Sequence, residues 1–122
     1  MKINQKTFIA LITIVLLFLS VGQVLAGKKE IKARLAFLPS LEKHLNEKFM
    51  IDPVITLEGK DKTILIIESI RLEDMDCYMI AGSIIKTLRI LGFKKIVFIR
   101  QRYNAKEFDG RIYDVETGEI IY

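Results

Sequence analysis

The stretch of sequence that decides the fold is residues 63–99, TILIIESIRLEDMDCYMIAGSIIKTLRILGFKKIVFI. Its middle part, Glu73 to Leu91, carries apolar residues at steps of three and four, which is the spacing of one face of a helix. That face comprises Cys77, Ile80, Ala81, Ile84, Leu88 and Leu91. Asp74 or Asp76 is suited to cap the start, and Gly92 supplies a stop. We therefore expect a helix that packs on a sheet through Ile84.

The two ends of this stretch are predicted strands with an unusual apolar pattern. Ile64 to Ile67 and Ile96 to Ile99 are apolar at four consecutive positions, whereas a strand with one wet face would alternate. Two helices can cover only one face of a sheet. The pattern thus indicates either an apolar second face that binds a partner or another copy of the chain, or loops and a first helix that wrap around both faces.

The segment from Gly27 to Asn46, which precedes this stretch, also has apolar residues at helical spacing. The predicted apolar face there comprises Ile31, Leu35, Leu38, Leu41, Leu45 and Phe49. Pro39 interrupts the pattern, because proline lacks the amide donor and its ring contacts the preceding turn. We expect either a kink at this point or a new helix that starts after Ser40.

The remaining segments have the composition of strands and turns. Val54 to Glu58 and Thr63 to Ile70 are rich in β-branched residues and flank a polar turn at residues 59–62, which predicts a hairpin. Further strands are predicted at Lys94 to Tyr103 and Arg111 to Val115, with a short last one at Ile120 to Tyr122. The order is α-β-β-α-β-β, with the short strand at the end. We predict an α+β two-layer sandwich, with both helices on one face of a mostly antiparallel sheet.

The first 26 residues have the pattern of an export signal. A short basic start is followed by an uncharged stretch, Thr7 to Ala26, which is densely apolar from Phe8 to Leu19 and ends in Val24-Leu25-Ala26. These are the three regions of a secretory signal peptide. We predict a signal peptide at residues 1–26 and a single small α+β domain at residues 27–122, exported to the periplasm or secreted.

The alternative for the same segment is an uncleaved N-terminal membrane anchor. Residues 7–26 are about as many as a bilayer's hydrocarbon core requires, which is about 20. The domain would then be anchored in the inner membrane and lie outside the cytoplasm, and membrane contact is expected only in this case. The dense apolar run is short for a span, which favours cleavage.

Charge and cysteine content exclude several classes of protein. The chain carries a net charge of +4, which falls to +2 when Lys2 and Lys6 are removed with the signal. Binding to nucleic acid requires concentrated lysine and arginine, so no nucleic-acid partner is expected. Cys77 is the only cysteine, so no internal disulfide can form. No phosphate-binding loop, His/Cys cluster or nucleophile elbow is present, and we predict no cofactor.

Three kinds of side chain are candidate chemical sites. The acidic cluster of Glu73, Asp74 and Asp76 offers oxygen ligands for a divalent cation, but acidic residues at a helix start are also typical of capping. Cys77 lies on the apolar face of its helix, which favours a buried structural thiol over a nucleophile. His44 lies at the edge of its apolar stripe and has no partner at metal-ligand spacing.

Basic and aromatic residues gather around the turn between the two strands that follow the second helix. The candidate partner-binding residues are Arg100, Arg102, Tyr103, Lys106 and Arg111. Such a group can bind an anionic surface or a protein, and the alternative is a solvated hairpin with ordinary cross-strand packing.

Taken together, these patterns favour a small exported non-catalytic interaction domain. It would bind a protein partner, another copy of itself or an envelope surface. One alternative is a small carboxylate- or metal-dependent enzyme that uses the acidic cluster. Another is a membrane-tethered accessory subunit, which requires that the N-terminal segment is retained.

Overall fold

The computed structural model confirms the predicted order of elements. It describes the backbone of residues 19–101 and 108–122 and the side chains of 27–101 and 108–122. The elements are α1 (Leu19–Phe49), β1 (Val54–Glu58), β2 (Ile64–Ser69), α2 (Asp74–Ile90), β3 (Lys95–Arg100) and β4 (Gly110–Asp114), with one 3-10 turn at Lys60–Lys62. The predicted α+β two-layer sandwich is therefore correct.

The sheet has the spatial order β1-β2-β3-β4. β1 pairs antiparallel with β2, and β3 pairs antiparallel with β4. The pair β2 and β3 is parallel, because α2 carries the chain back across the sheet between them. The sheet is thus mostly antiparallel, as predicted, with one parallel pair at its centre.

Along β2 and β3, buried side chains alternate with half-buried ones. The sheet therefore has a core face, which packs against the helices, and a second face that points away from them. Leu65 and Ile67 on β2, and Ile96 and Phe98 on β3, are fully buried. Both helices pack on this side, where they contribute Leu41, Leu45, Ile80, Ala81, Ile84 and Leu88 to a single hydrophobic core. The prediction that Ile84 faces the sheet is confirmed. The intervening residues point to the other side and are half-buried.

The first helix corrects two expectations from the sequence. It continues through Pro39 to Phe49, so no new helix starts after Ser40. The predicted apolar face is also wrong at one position, because Leu35 is 47% exposed whereas the neighbouring Arg34 is 3% exposed. The physical reason is that this part of α1 lies against backbone carbonyls of a turn and a helix end, which need a donor.

The ends of α2 follow local sequence rules. Its N-cap is Glu73, rather than Asp74 or Asp76 as expected, and the Asp76 carboxylate instead accepts the Glu73 backbone N–H at 3.0 Å. At the other end Gly92 adopts a positive φ of 82°. The Phe93 N–H then donates to the Leu88 carbonyl at 2.9 Å, which closes the helix as predicted.

The C-terminal residues bond to the sheet, whereas most of the predicted signal lies outside the described residues. The predicted last strand is reduced to a bridge between Ile120 and Tyr113, supported by backbone hydrogen bonds of Ile121 and Tyr122 to Ile112. The predicted signal lies largely outside the described residues, which begin at position 19. In the portion that the structure describes, no helix has both the length and the apolar character required to span a bilayer.

Candidate functional site

The fold brings two of the predicted site groups together at one end of the helix layer. β3 and β4 place Arg100 and Arg111 on the core side of the sheet, next to the first turn of α2. Arg100 Nη2 donates to Asp74 Oδ1 at 3.1 Å, and Arg111 Nη2 donates to Asp74 Oδ2 at 2.7 Å. The Asp74 carboxylate therefore binds both guanidinium groups, one on each oxygen.

Arg100 is the central residue of this ionic cluster. Its Nη1 donates to Asp109 Oδ1 at 3.1 Å, and its Nε donates to the backbone carbonyl of Leu72. The side chain is 14% exposed. Arg100 thus connects the segment before α2, the first turn of α2 and the residue that precedes β4. These contacts give Arg100 a structural role.

The surroundings of Asp74 oppose acid–base chemistry and cation binding. The hydrogen bond from Arg111, together with that from Arg100, lowers the pKa of Asp74 below its ordinary value of 3.8, although partial burial acts in the other direction. A carboxylate with a lowered pKa is a poor general acid near neutral pH. A metal ion at this position would also face two guanidinium charges.

The other two acidic candidates do not join Asp74 in a common site. Asp76 accepts the Glu73 backbone N–H and so serves the start of α2. Within residues 27–101 and 108–122, no group of three histidine, cysteine, aspartate or glutamate side chains is arranged to hold a metal. None of the three described surface pockets, about 160 to 370 Å³ in volume, is lined by Glu73, Asp74 or Asp76.

Cys77 and His44 occupy the positions expected of structural residues. Cys77 is buried, and its burial raises the pKa of the thiol to about 11, with the Arg100 charge acting against that rise. The prediction of a buried thiol is confirmed. His44 is half-buried between the helices, where Nε2 lies 3.0 Å from Ser83 Oγ and the ring contacts the edge of Phe49.

Three of the five predicted partner-binding residues cannot be placed. Arg102, Tyr103 and Lys106 lie outside the described residues. The two described members, Arg100 and Arg111, are engaged by acidic partners. A surface made of these two residues alone would therefore present little uncompensated positive charge, and the basic patch stays a prediction.

The open face of the sheet is the second candidate site. We use this name for the outward side chains of Ile64, Ile66, Val97, Ile99 and Ile112 with their neighbours. The register aligns Thr56, Ile66, Val97 and Ile112 in one row across all four strands. Five aliphatic side chains are half-buried here, and neither helix covers them.

The two outer rows of the open face mix polar and apolar side chains. The row on one side is Glu58, Ile64, Lys95 and Asp114, and the row on the other is Val54, Glu68, Ile99 and Gly110. Gln101 Nε2 donates to Glu68 Oε2 at 2.9 Å at that second border. The charged residues of the open face, Glu58, Glu68, Lys95 and Asp114, thus lie in its outer rows and not in its central row, and protein-binding surfaces are likewise more polar toward their rim.

One residue that connects several elements was missed by sequence reasoning. Arg34 donates from Nε to the Leu91 carbonyl at 2.8 Å and from Nη1 to the Asp61 carbonyl at 2.7 Å. Its Nη2 lies 3.4 Å from Glu30, one helical turn earlier. The i,i+4 spacing of Glu30 and Arg34 was the one sequence feature that could have indicated this ion pair. Exposed ion pairs on helix surfaces have the same spacing, so it did not identify Arg34 as buried.

Comparison with known proteins identifies no protein that matches this chain. No protein-family model matches this chain, and neither a curated protein nor a solved structure is similar to it.

Proposed function

We propose that this protein is a small non-catalytic interaction domain that binds another protein through the open face of its sheet. The observation that carries the proposal is the row of Ile66, Val97 and Ile112 on three adjacent strands, over which neither of the two described helices packs. Contiguous apolar surface on a small domain commonly marks a binding site. In keeping with the sequence analysis, we propose that the domain acts outside the cytoplasm.

The energy available from the open face is sufficient for reversible binding. Complete burial of one branched aliphatic side chain contributes about 1.5–3 kcal/mol relative to full exposure. The five residues are already partly buried, so each contributes a fraction of that value. Their sum is several kcal/mol before the entropy of association is subtracted, which indicates a regulated or weak complex rather than a permanent one.

The ionic cluster supports this proposal over an enzyme. Both carboxylate oxygens of Asp74, an acidic residue of the cluster, already accept hydrogen bonds from arginine. The cluster therefore stabilises the end of the sheet. The alternative of a carboxylate-dependent enzyme gains no supporting geometry from the described residues.

Site-specific photocrosslinking in cells that produce the full chain tests the proposal. A photoreactive amino acid is placed at Val97 on the open face, or at Lys86, which is exposed on the outer side of α2. We expect one recurrent partner protein to crosslink from position 97 and not from position 86. The same products from both positions, or crosslinks only between copies of the chain, would contradict the proposal.

A binding measurement with the identified partner provides the quantitative control. Ile66→Lys places a charge at the centre of the open face and should weaken binding at least about tenfold, as is usual for a central interface residue. Lys86→Glu changes charge on the helix layer and should leave affinity within about twofold. Circular dichroism of both variants establishes that they are folded.

A further inference from the structure

The two edges of the sheet are protected to different degrees. Residues near the C-terminus bond to the outer edge of β4, through Ile121 N–H to Ile112 O at 2.7 Å and Asp114 N–H to Glu119 O at 2.9 Å. At the opposite edge, β1 has backbone hydrogen bonds only to β2 among the described residues. Val54 is 53% exposed. Unpaired strand edges readily pair with another strand.

The strand β1 lacks the features that usually prevent such pairing. Its register with β2 is continuous over five residues, so no bulge turns the edge away. Glu58, at one end, is its only charged residue, and Pro53 lies just outside the strand. Among the described residues, this edge is therefore regular and largely uncharged.

We propose that β1 pairs antiparallel with β1 of a second copy of this chain, about a two-fold axis at Thr56. In this register Thr56 faces its own copy, Ile55 faces Leu57, and Val54 faces Glu58. No like charges are opposed, and the threonine pair is a favourable cross-strand pair. The sequence of β1 is thus self-complementary, as an isologous dimer interface requires.

Charges beyond the ends of β1 agree with this register. Asp52 and Lys60 are equally distant from Thr56 along the chain and carry opposite charges, so the register opposes no like charges just beyond the strand, where Lys60 begins the turn to β2. Both residues are exposed. A shift of the register by two residues would remove the Thr56 pair and the symmetric match of Asp52 with Lys60.

The dimer joins two four-stranded sheets into one continuous sheet. Ile55, which is half-buried on the core side, gains an apolar neighbour in Leu57 of the second copy. The open faces of the two copies then lie side by side. A pairing of five residues buries less than the roughly 1,000 Å² of typical stable interfaces, so the dimer is expected to be reversible. This inference concerns the sheet edge and is independent of the proposed partner on the open face.

Cysteine crosslinking of the full chain in cells tests the register directly. In a Cys77→Ser background, Thr56→Cys places two thiols across the two-fold axis, within the range for a disulfide. Glu58→Cys is the matched control on the same strand and face. Its two thiols would be about 14 Å apart along the strands, too far to bridge. We expect a reductant-sensitive dimer from position 56 and none from position 58.

Coexpression of two further variants provides a second test if Thr56→Cys does not fold. Chains with Val54→Cys and chains with Glu58→Cys should form a mixed dimer when produced together, and neither should dimerise alone. Absence of the dimer from Thr56→Cys when that variant is folded, or absence of the mixed dimer, would overturn the proposal. Equal crosslinking from positions 56 and 58 would also overturn it. The photocrosslinking experiment at Val97 tests the proposed function, and its result does not depend on the outcome of these cysteine crosslinks.

Discussion

Arg34 shows how one buried charge can determine where a helix lies. Its guanidinium donates to carbonyls of Leu91 and Asp61, and its centre lies 6.0 Å from the Phe93 ring. Burial of a charged group is unfavourable unless its donors are satisfied. Here the partners belong to the end of α2 and to the turn between β1 and β2. Arg34 therefore joins α1 to two elements that are distant in sequence.

Replacement of Arg34 by methionine should destabilise the domain by about 2–4 kcal/mol, because the buried guanidinium and its hydrogen bonds to the partly buried Leu91 and Asp61 carbonyls are lost while the volume is largely kept. Lys32→Met, two residues earlier and exposed, should change stability by less than about 0.5 kcal/mol. Urea unfolding followed by circular dichroism measures both. Equal effects of the two substitutions would show that the Arg34 contacts contribute no more than surface contacts.

Cys77 should react slowly with thiol reagents in the folded protein. The thiolate is the reactive form, and a pKa of about 11 rather than 9.0 lowers its population about a hundredfold near pH 8. Burial further restricts access. Labelling should accelerate by at least that factor in denaturant, and a non-reducing denaturing gel should show no disulfide-linked dimer of the unaltered chain. Fast labelling of the native protein would contradict the burial of this side chain.

At the scale of elements, α2 ends in a glycine that cannot be replaced without strain. A Cβ at Gly92 would lie 2.5 Å from Arg34 Nη2, and the residue has a positive φ. Gly92→Ala should therefore destabilise the domain by about 1–3 kcal/mol. Gly82→Ala, inside the same helix with open space at its Cβ, should instead stabilise it by about 0.5–1 kcal/mol. Thermal unfolding distinguishes the signs, and a shift in the same direction for both variants would refute this account.

The ionic cluster joins the start of α2 to β3 and β4, and its contribution should depend on pH. The pKa of Asp74 is lowered in the folded state, so its stabilising effect is fully present above the ordinary value of 3.8. The effect is lost as pH falls through the lowered value. Asp74→Asn should therefore have a lower melting temperature than the unaltered chain at pH 6–7, with the difference narrowing below about pH 4. A difference that did not change with pH would show that ionisation of Asp74 is unimportant.

At the scale of the whole molecule, the layers are asymmetric. Within the part of the chain that the structure describes, helices cover one face of the sheet and the C-terminal residues cover one edge, whereas no element packs over the other face or pairs with the other edge. The domain can therefore bind at the open face and pair at β1 without rearrangement of its core. These two surfaces meet at Thr56, which lies on the open face of the edge strand.

Export of the domain is a prediction about the whole chain. If residues 1–26 are a signal peptide, material recovered outside the cytoplasm should begin at Gly27. N-terminal sequencing or intact mass measurement of that fraction gives the result. Replacement of Ala26 by a bulky residue should block processing, since cleavage requires small side chains near the site. Recovery of the chain only with its first residues intact would favour the membrane-anchor alternative.

The sequence by itself indicated the type and order of the main elements, although the short last strand that it predicted is only a bridge in the structure. The periodicity of residues 73–91 indicated α2 and its buried face, and the runs of Ile64–Ile67 and Ile96–Ile99 indicated strands with two apolar sides. Gly92 marked a helix end because a positive φ is a local requirement. The burial of Cys77 followed from the same periodicity. Each of these features depends on residues that are close together in the chain.

Tertiary structure alone decided which distant groups meet. Arg34 is buried and Leu35 exposed because the carbonyls at Asp61 and Leu91 lie beside α1 in space. Asp74 binds Arg100 and Arg111 because the return of the chain through α2 brings the ends of β3 and β4 to the start of that helix. The free edge at β1 likewise depends on strand order. Helical and strand periodicity record burial along one element, whereas partners from other elements are fixed only by packing.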